Sequence, residues 1–338
     1  MISTMEVAID IGTAFTSVFV AGNGVVLREP SVVVFKGSIK EKNVLAVGSK
    51  AYAMIGKNPE DTLIVNPVAA GVIADKVSAT IMLKEFFNRI IPDVFFVPRV
   101  KVILGIPLGL SLDERIMYEE VVFSACKRVK EVTLVENIIL SAAGLQLPMD
   151  TAGAGLVVNI GGGTTELAAI SLNGIITGCG ISIGGDSMDK AIMDSILGKH
   201  NTKLGLNTVR AVKENIASLY KNDVAKERVL GMDLTTKSVG PVVVDASDLY
   251  EVLEPYYKRI GEAVESVLKF CSPEAASAFS KAGIYLVGGG AKIAGLSEYL
   301  TSNIGLKINI AEEPEYAAIL GGGKLLNNKE MLKRIMNK

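Results

Sequence analysis

Three glycine-rich turns, each following an apolar run, raise phosphate chemistry as the first reading of this chain. They are Gly12–Thr13, Gly161–Gly162–Gly163 and Gly288–Gly289–Gly290. Phosphate oxygens need several donors converging at short range. Backbone N–H groups in a tight turn supply them, and glycine permits close approach. Asp10 ends the run before the first turn. It is placed to hold Mg2+ through water, because Mg2+ keeps most of its hydration shell. The alternative for Asp10 is a turn residue bonded to its own backbone. One such turn is equally well a plain hairpin; three after apolar strands point to a polyphosphate site.

The elements that position these turns are written twice. VAIDIGTAFTSVFVAGNGVV (Val7–Val26) and LVVNIGGGTTELAAISLNGII (Leu156–Ile176) share one pattern: strand, polar residue, glycine turn, strand, Asn-Gly turn. Asp10 falls opposite Asn159, Gly12 opposite Gly161 and Thr16 opposite Thr165. A repeat at half the chain length predicts two related domains, with the two turns facing each other across a phosphate chain. Both copies are strand–turn–strand, unlike a dinucleotide fingerprint or a Walker loop, which lead into a helix. The GGGK at Gly321–Lys324 precedes Leu325 and fails the Walker pattern. The third turn leads strand into helix, and its glycines let a flat ring or ribose lie against the backbone.

At 338 residues the chain is long enough for two cores. It is 49% hydrophobic, yet no run of apolar residues reaches the length of a membrane span. We read no signal peptide at the start. Three unpatterned cysteines fit a reducing cytoplasm and argue against disulfides and a zinc site. A net charge of -1 gives no field for nucleic acid. His200 is the single histidine and reads as a loop residue, which leaves little room for a histidine triad. Pro255 should end or kink the long helix around it unless it sits near a helix start.

The three turns in this order resemble the two phosphate motifs and the adenosine motif of the actin and heat-shock-chaperone ATPase superfamily. DIGTAFT, REPSVVV, GVIAD, ILGIPLG, NIGGGTTELAAISLNGI, ISIGGDSMDKAI, LVGGGAKIAGL and ILGGGKLL extend the likeness over nearly the whole length, and most closely to the bacterial MreB family. The resemblance implies an α/β, actin-like ATPase fold: two duplicated domains, each a mixed sheet flanked by helices, with ATP or ADP and Mg2+ in the cleft. Domain I would be 1–145 plus 313–338, with a small subdomain inserted at about 33–65; domain II would be 146–312, with one at about 182–246. It also implies Asp10, Gly12, Thr13, Ala14, Gly161, Gly162 and Gly163 at the phosphates and Mg2+. Gly184, Gly185 and Asp186 would border the nucleotide, Lys213 and Glu214 the ribose and adenine, and Gly288, Gly289 and Gly290 the adenosine.

Two departures bear on catalysis. Where related chains carry a water-positioning Glu this one has Asn137, and where the second phosphate motif carries Asp it has Asn159. Thr165 joins them as a third candidate catalytic position. An amide can hydrogen-bond water and phosphate but cannot act as a base. Actin uses glutamine at the first of these positions, so Asn137 alone need not abolish hydrolysis; the loss of both carboxylates implies slow or absent hydrolysis. The family further implies head-to-tail filaments, a cytoplasmic protein peripheral to the inner face of the cell membrane, a part in cell shape and other cytoskeletal partners. Val94, Phe95, Phe96 and Val97, between two prolines, read as an exposed apolar loop that enters the membrane surface; a core turn is the alternative. The tail LLNNKEMLKRIMNK reads as a basic amphipathic helix, solvated at the terminus, with membrane contact the second reading. The competing functions are a non-polymerising ATP-binding adaptor and a chaperone- or kinase-type ATPase of the same fold.

Overall fold

The computed structural model describes residues 4–37, 39, 43–91, 98–151 and 155–337. The chain opens with β1 (Thr4–Ile11), β2 (Phe15–Val20) and β3 (Gly24–Pro30). Next come β4 (Val33–Lys36), β5 (Val44–Val47), the short helix α1 (Ser49–Tyr52), β6 (Thr62–Val65), and the hairpin β7 (Val68–Ala69) and β8 (Val72–Ile73). Helix α2 (Lys76–Ile90) leads to β9 (Arg99–Ile106), α3 (Leu112–Ala125), β10 (Val129–Glu136) and α4 (Asn137–Gly144). The second half starts with β11 (Gly155–Ile160), β12 (Thr165–Ser171) and β13 (Gly174–Ile181). It continues through α5 (Gly185–His200), β14 (Thr202–Lys203), α6 (Leu206–Ile216), β15 (Lys226–Asp233), β16 (Val239–Asp245) and α7 (Ala246–Lys269). Then follow α8 (Pro273–Ala282), β17 (Ile284–Val287), α9 (Leu296–Ile304), β18 (Ile308–Ile310), α10 (Ala317–Asn327) and α11 (Lys329–Met336).

The doubled hairpin is doubled in space. One five-stranded sheet runs β10-β9-β1-β2-β3 and the other β18-β17-β11-β12-β13. In each, the central strand is antiparallel to its hairpin partner and parallel to the strand that arrives by crossover. The registers correspond: Ile11 pairs with Thr16, and Ile160 with Thr165. Two three-stranded sheets, β5-β4-β6 and β14-β15-β16, complete the framework.

Alternation along the strands sorts the side chains into three buried layers. Val7, Ile9 and Ile11 pack with Met82, Phe86 and Tyr118 on the outer side of the first sheet. Leu156, Val158 and Ile160 pack with Ile192, Leu253 and Tyr257 on the outer side of the second. The intervening residues, Ala8 and Ile103 of one sheet and Val157, Ala168 and Ile170 of the other, share a central layer with α4 and α10. These two helices touch backbone to backbone. A Cβ on Gly321 would collide with the Leu140 carbonyl oxygen, and one on Gly144 with the Ala317 carbonyl. Lys324 Nζ then donates to the Gly144 carbonyl at 2.6 Å. The GGGK segment is thus a helix-packing surface.

Three local features bear on the reading of the sequence. Helix α7 runs through Pro255. An interior proline costs about 3 kcal/mol or more. Leu249, Leu253, Tyr257, Ile260, Val264 and Val267 offset it with a buried seam, each worth about 1.5–3 kcal/mol. His200 closes α5 rather than lying in a loop, with Asn201 after it in the left-handed conformation at φ 48°. As expected, β17 leads through the glycines, here a 3₁₀ turn over Gly289–Lys292, into an α-helix, which begins at Leu296. The C-terminal helix α11 is amphipathic as read, and its apolar residues Met331, Leu332 and Ile335 are packed into the central layer.

Because a single added Cβ meets backbone at Gly321, Gly321→Ala is expected to destabilise the protein by at least about 1–3 kcal/mol, the usual range for overpacking. Urea unfolding checks this; an unchanged midpoint would show that α4 and α10 are not in close contact.

Candidate functional site

The central layer ends in polar residues next to the two glycine turns. Asp10 follows Ala8 on the interior face of β1, and Asn159 follows Val157 on the interior face of β11. Glu166 stands directly across from Asn159, on the face that continues into Ala168 and Ile170. Asn137, the first residue of α4, is buried nearby. Gly105 pairs with Asp10 in the sheet, and a Cβ there would run into Asn137 Oδ1. Glycine at 105 therefore makes room for the amide. Glu166 is 4% exposed and Asn137 7%. Asp10 Oδ1, Asn137 Oδ1 and Glu166 Oε2 are buried without a hydrogen-bond partner, which is costly for a site with no ligand to receive.

This burial shifts both acids. Desolvation raises the Asp10 carboxyl to about 6, with the Asn137 side chain and the Arg28 charge pulling the other way. Burial raises Glu166 to about 8; the Leu108 N–H opposes this and the charges of Asp10 and Glu136 add to it. Glu136 itself pairs with Arg115 at 2.8 Å.

Above these residues the two turns meet. Each is closed by the same bond: Gly12 N–H to the Phe15 carbonyl at 3.0 Å, and Gly161 N–H to the Thr164 carbonyl at 2.8 Å. A Cβ on Gly162 would lie 2.7 Å from Ala14 Cβ, and one on Gly163 2.5 Å from Thr13 Oγ1. Only glycine fits on the second turn while the first stands so near. Ser31 supports the first turn, donating from Oγ to the Gly12 carbonyl at 2.7 Å. The β7–β8 hairpin joins them: Gly71 N–H donates to Thr13 Oγ1 at 3.3 Å, and Tyr118 holds the Gly71 carbonyl at 3.0 Å.

Gly184, Gly185 and Asp186 lie against the second turn. Gly185 N–H donates to the Gly161 carbonyl at 3.0 Å and Asp186 N–H to the Gly162 carbonyl at 2.8 Å. Gly288 backs onto Asn159, where a Cβ would be 2.5 Å from Oδ1, and Gly290 backs onto Ile160. Gly289 faces open space. Asp186 and Lys213 belong to an ion network. Arg210 bridges Asp186 Oδ1 at 2.8 Å and Asp189 Oδ2 at 2.9 Å, and Lys213 meets Asp189 Oδ1 at 2.5 Å. Arg210 also lies 5.7 Å from the Tyr52 ring, so α6 touches α1 of the other half. Glu214 is exposed on α6.

One candidate points elsewhere. Thr165 is fully buried on the outer face of β12, and its hydroxyl donates to the Ile183 carbonyl at 2.8 Å. Alternation puts the neighbouring Thr164, in the turn itself, beside Gly71, whose Cβ would be 3.2 Å from Thr164 Cγ2. Val94, Phe95, Phe96 and Val97 lie outside the described residues. Sequence reading missed Glu166, Gly105, Arg210, Ser31, Thr164 and the Ala70–Gly71 turn. A visible signal existed for Glu166, the one charged residue in the strand TELAAIS.

The donor set fits a nucleotide polyphosphate. Glycine turns converge from two sides, and an unpartnered Asp10 oxygen waits beneath them. Among the described residues no group of three or more His, Cys, Asp or Glu side chains could hold a metal. A cation here would depend on Asp10, water and phosphate oxygens.

Glu166 gives a pH test of the site. Its carboxyl ionises at the ordinary 4.5 when unfolded and at about 8 when folded. Folding favours the protonated form, so its contribution is complete below 4.5 and is lost as pH rises through about 8. Glu166→Gln removes the titration. The variant should match the wild type in thermal unfolding at pH 4.5 and exceed it by more than about 1 kcal/mol at pH 8. An equal difference at both values would mean that Glu166 is not buried as described.

Comparison with known proteins agrees with this geometry. Residues 4–334 match the family model described as MreB/Mbl protein. The cell shape-determining protein MreB of Escherichia coli K12 is 36% identical over 331 residues, covering 96% of this chain and 94% of that protein. The cell shape-determining protein Mbl of Bacillus subtilis 168 is 31% identical over 331 residues, covering 97% of each. The crystal structure of MreB5 of Spiroplasma citri bound to ADP superposes with a TM-score of 0.90 at 28% identity, covering 100% of both chains. A MamK double helical filament subunit shares the fold, with a TM-score of 0.80 at 20% identity, covering 96% of this chain and 99% of that one. The fold is actin-like, and the chain belongs to the MreB/Mbl family.

Proposed function

We propose that this protein binds ATP and ADP with Mg2+ between its two facing turns and polymerises head-to-tail as a cytoskeletal filament for cell shape. The observation that carries the reading is the apposition of Gly162 and Gly163 with Ala14 and Thr13, two glycine turns offering backbone donors to one polyphosphate. The relative from Escherichia coli is a cell shape-determining protein, and MreB5 of Spiroplasma citri has been solved with ADP and with AMPPNP. In this reading the chain divides into domain I, 1–145 plus 313–338, and domain II, 146–312. Gly184, Gly185 and Asp186 border the nucleotide, Gly288–Gly290 receives the adenosine, and Lys213 and Glu214 lie at the ribose and base. Mg2+ supplies charge neutralisation at the phosphates; Asp10 holds it through water.

Hydrolysis is slow in this account. Water attack on the terminal phosphate is helped by a group that orients the water and by charge that organises the metal. Asn137 and Asn159 can hydrogen-bond but bring no charge. The protein is cytoplasmic and peripheral to the inner membrane face, with Phe95 and Phe96 entering the surface and other shape proteins as partners. The same two asparagines favour a second reading, an ATP-binding adaptor that does not polymerise. Electron microscopy with ATP separates the two: long filaments support the first, and their absence across conditions supports the adaptor.

Phosphate release from the wild type is expected to be slow, and Asn137→Glu with Asn159→Asp to raise it about tenfold or more, in line with the effect of single charge-stabilising groups. No change in rate would mean that these positions do not face the reacting phosphate. For the membrane, Phe95→Ser with Phe96→Ser should reduce sedimentation with liposomes, since each phenylalanine contributes about 1.5–3 kcal/mol of burial. Undiminished sedimentation would remove these residues from the contact.

A further inference from the structure

Three side chains form a row across the first sheet at its turn end. Asp10 on β1 pairs with Ser17 on β2, and Ser17 pairs with Arg28 on β3. Directly opposed residues point to one face of a sheet, so Arg28 stands on the same side as Asp10. Ser17, between them, is short and buried. The Arg28 guanidinium is held against two rings, with Cζ 3.9 Å from the centre of Phe15 and 5.3 Å from that of Tyr316. Phe15 closes the first glycine turn through its carbonyl, which accepts from Gly12 N–H. Stacking uses the faces of a guanidinium and leaves its in-plane N–H groups free to donate. Arg28 Nε is buried without a hydrogen-bond partner. Tyr316 also connects Arg28 to the third turn. Just before it, the Pro314 carbonyl accepts from Gly288 N–H at 2.7 Å, and Glu315 Oε1 pairs with Lys292 at 2.8 Å, at the end of the 3₁₀ turn. Arg28 therefore lies between the first phosphate turn and the segment that braces the adenosine turn. A nucleotide stretched from one turn to the other carries its inner phosphates past this guanidinium.

We propose that Arg28 binds the phosphates that ADP and ATP share, donating from its in-plane N–H groups to their oxygens. The proposal rests on the nucleotide reading of the cleft. The glycine turns offer dipoles and no net charge. Of the cations around them, Arg210 and Lys213 pair with Asp186 and Asp189, and Lys292 with Glu315. Arg28 keeps an unpartnered nitrogen, and a guanidinium on phosphate makes strong, charge-assisted bonds. The two rings fix its plane, so little side-chain freedom is lost when the ligand arrives. A second use of the charge is to steady Asp10, whose carboxyl burial raises to about 6 while the Asn137 side chain and the Arg28 charge oppose the rise. That use alone would leave the affinity for ADP independent of a positive charge at residue 28.

The test is calorimetric titration of ADP and of ATP, each with Mg2+ and at several KCl concentrations, into the full chain and its Arg28→Met, Arg28→Gln and Arg28→Lys variants. Arg28→Met keeps an apolar stem against the rings and removes the charge. The expected result is a loss of affinity of at least about tenfold for both nucleotides alike, with partial recovery in Arg28→Lys. The affinity of Arg28→Met for ADP should also depend less steeply on KCl than that of the wild type, a change that lost packing alone would not produce. Thermal melts show which variants fold, and Arg28→Gln carries the same expectation if Arg28→Met does not. Wild-type affinity for both nucleotides in a folded, uncharged variant would overturn the proposal. A loss confined to ATP would overturn it too, moving Arg28 to the terminal phosphate. A wild type that binds neither nucleotide would instead sink the underlying reading of the cleft, and this proposal with it.

Discussion

The structure depends on a single buried layer shared by two sheets. Residues alternate along β1 and β11, so every second side chain of each strand enters the space occupied by α4 and α10. That space is narrow. Gly144 and Gly321 bring the two helices into backbone contact, and no side chain larger than hydrogen fits at either position. The two sheets are therefore held at a fixed separation by helix packing. The glycine turns at the ends of their central strands meet as a consequence.

The same alternation decides which residues can do chemistry. Asp10, Asn159 and Glu166 continue the inward rows of Ala8, Val157 and Ala168. They inherit a position in the shared layer. Thr16 and Thr165 fall on the outward rows, and their hydroxyls serve structure, Thr16 with Ser31 Oγ at 2.9 Å and Thr165 with the Ile183 carbonyl. Burial then sets the proton affinities. Asp10 and Glu166 are both raised because the layer that positions them also removes water from them.

Much of this was legible in the residues. The doubled hairpin announced two sheets with one plan, and Asp10, Gly12 and Gly161–Gly163 marked where they meet. What escaped was set by geometry that a linear pattern does not carry. Thr164 and Thr165 are adjacent and identical in type, and only strand register shows which one enters the cleft. Gly105 looked like any glycine in an apolar run until Asn137 was seen beside it. Arg210 is remote in sequence from Tyr52 and both acids it bridges. Pro255 argued locally for a break, and a buried apolar seam along α7 outweighed it.

The most direct test of the account is calorimetric titration of Mg2+ and ATP into the wild type and into Gly162→Val. The facing turns leave no room for a side chain at Gly162, where even a Cβ would lie 2.7 Å from Ala14 Cβ. The account predicts saturable binding by the wild type and its loss in a variant that still folds. Equal binding by both proteins would contradict the placement of the nucleotide between the two turns.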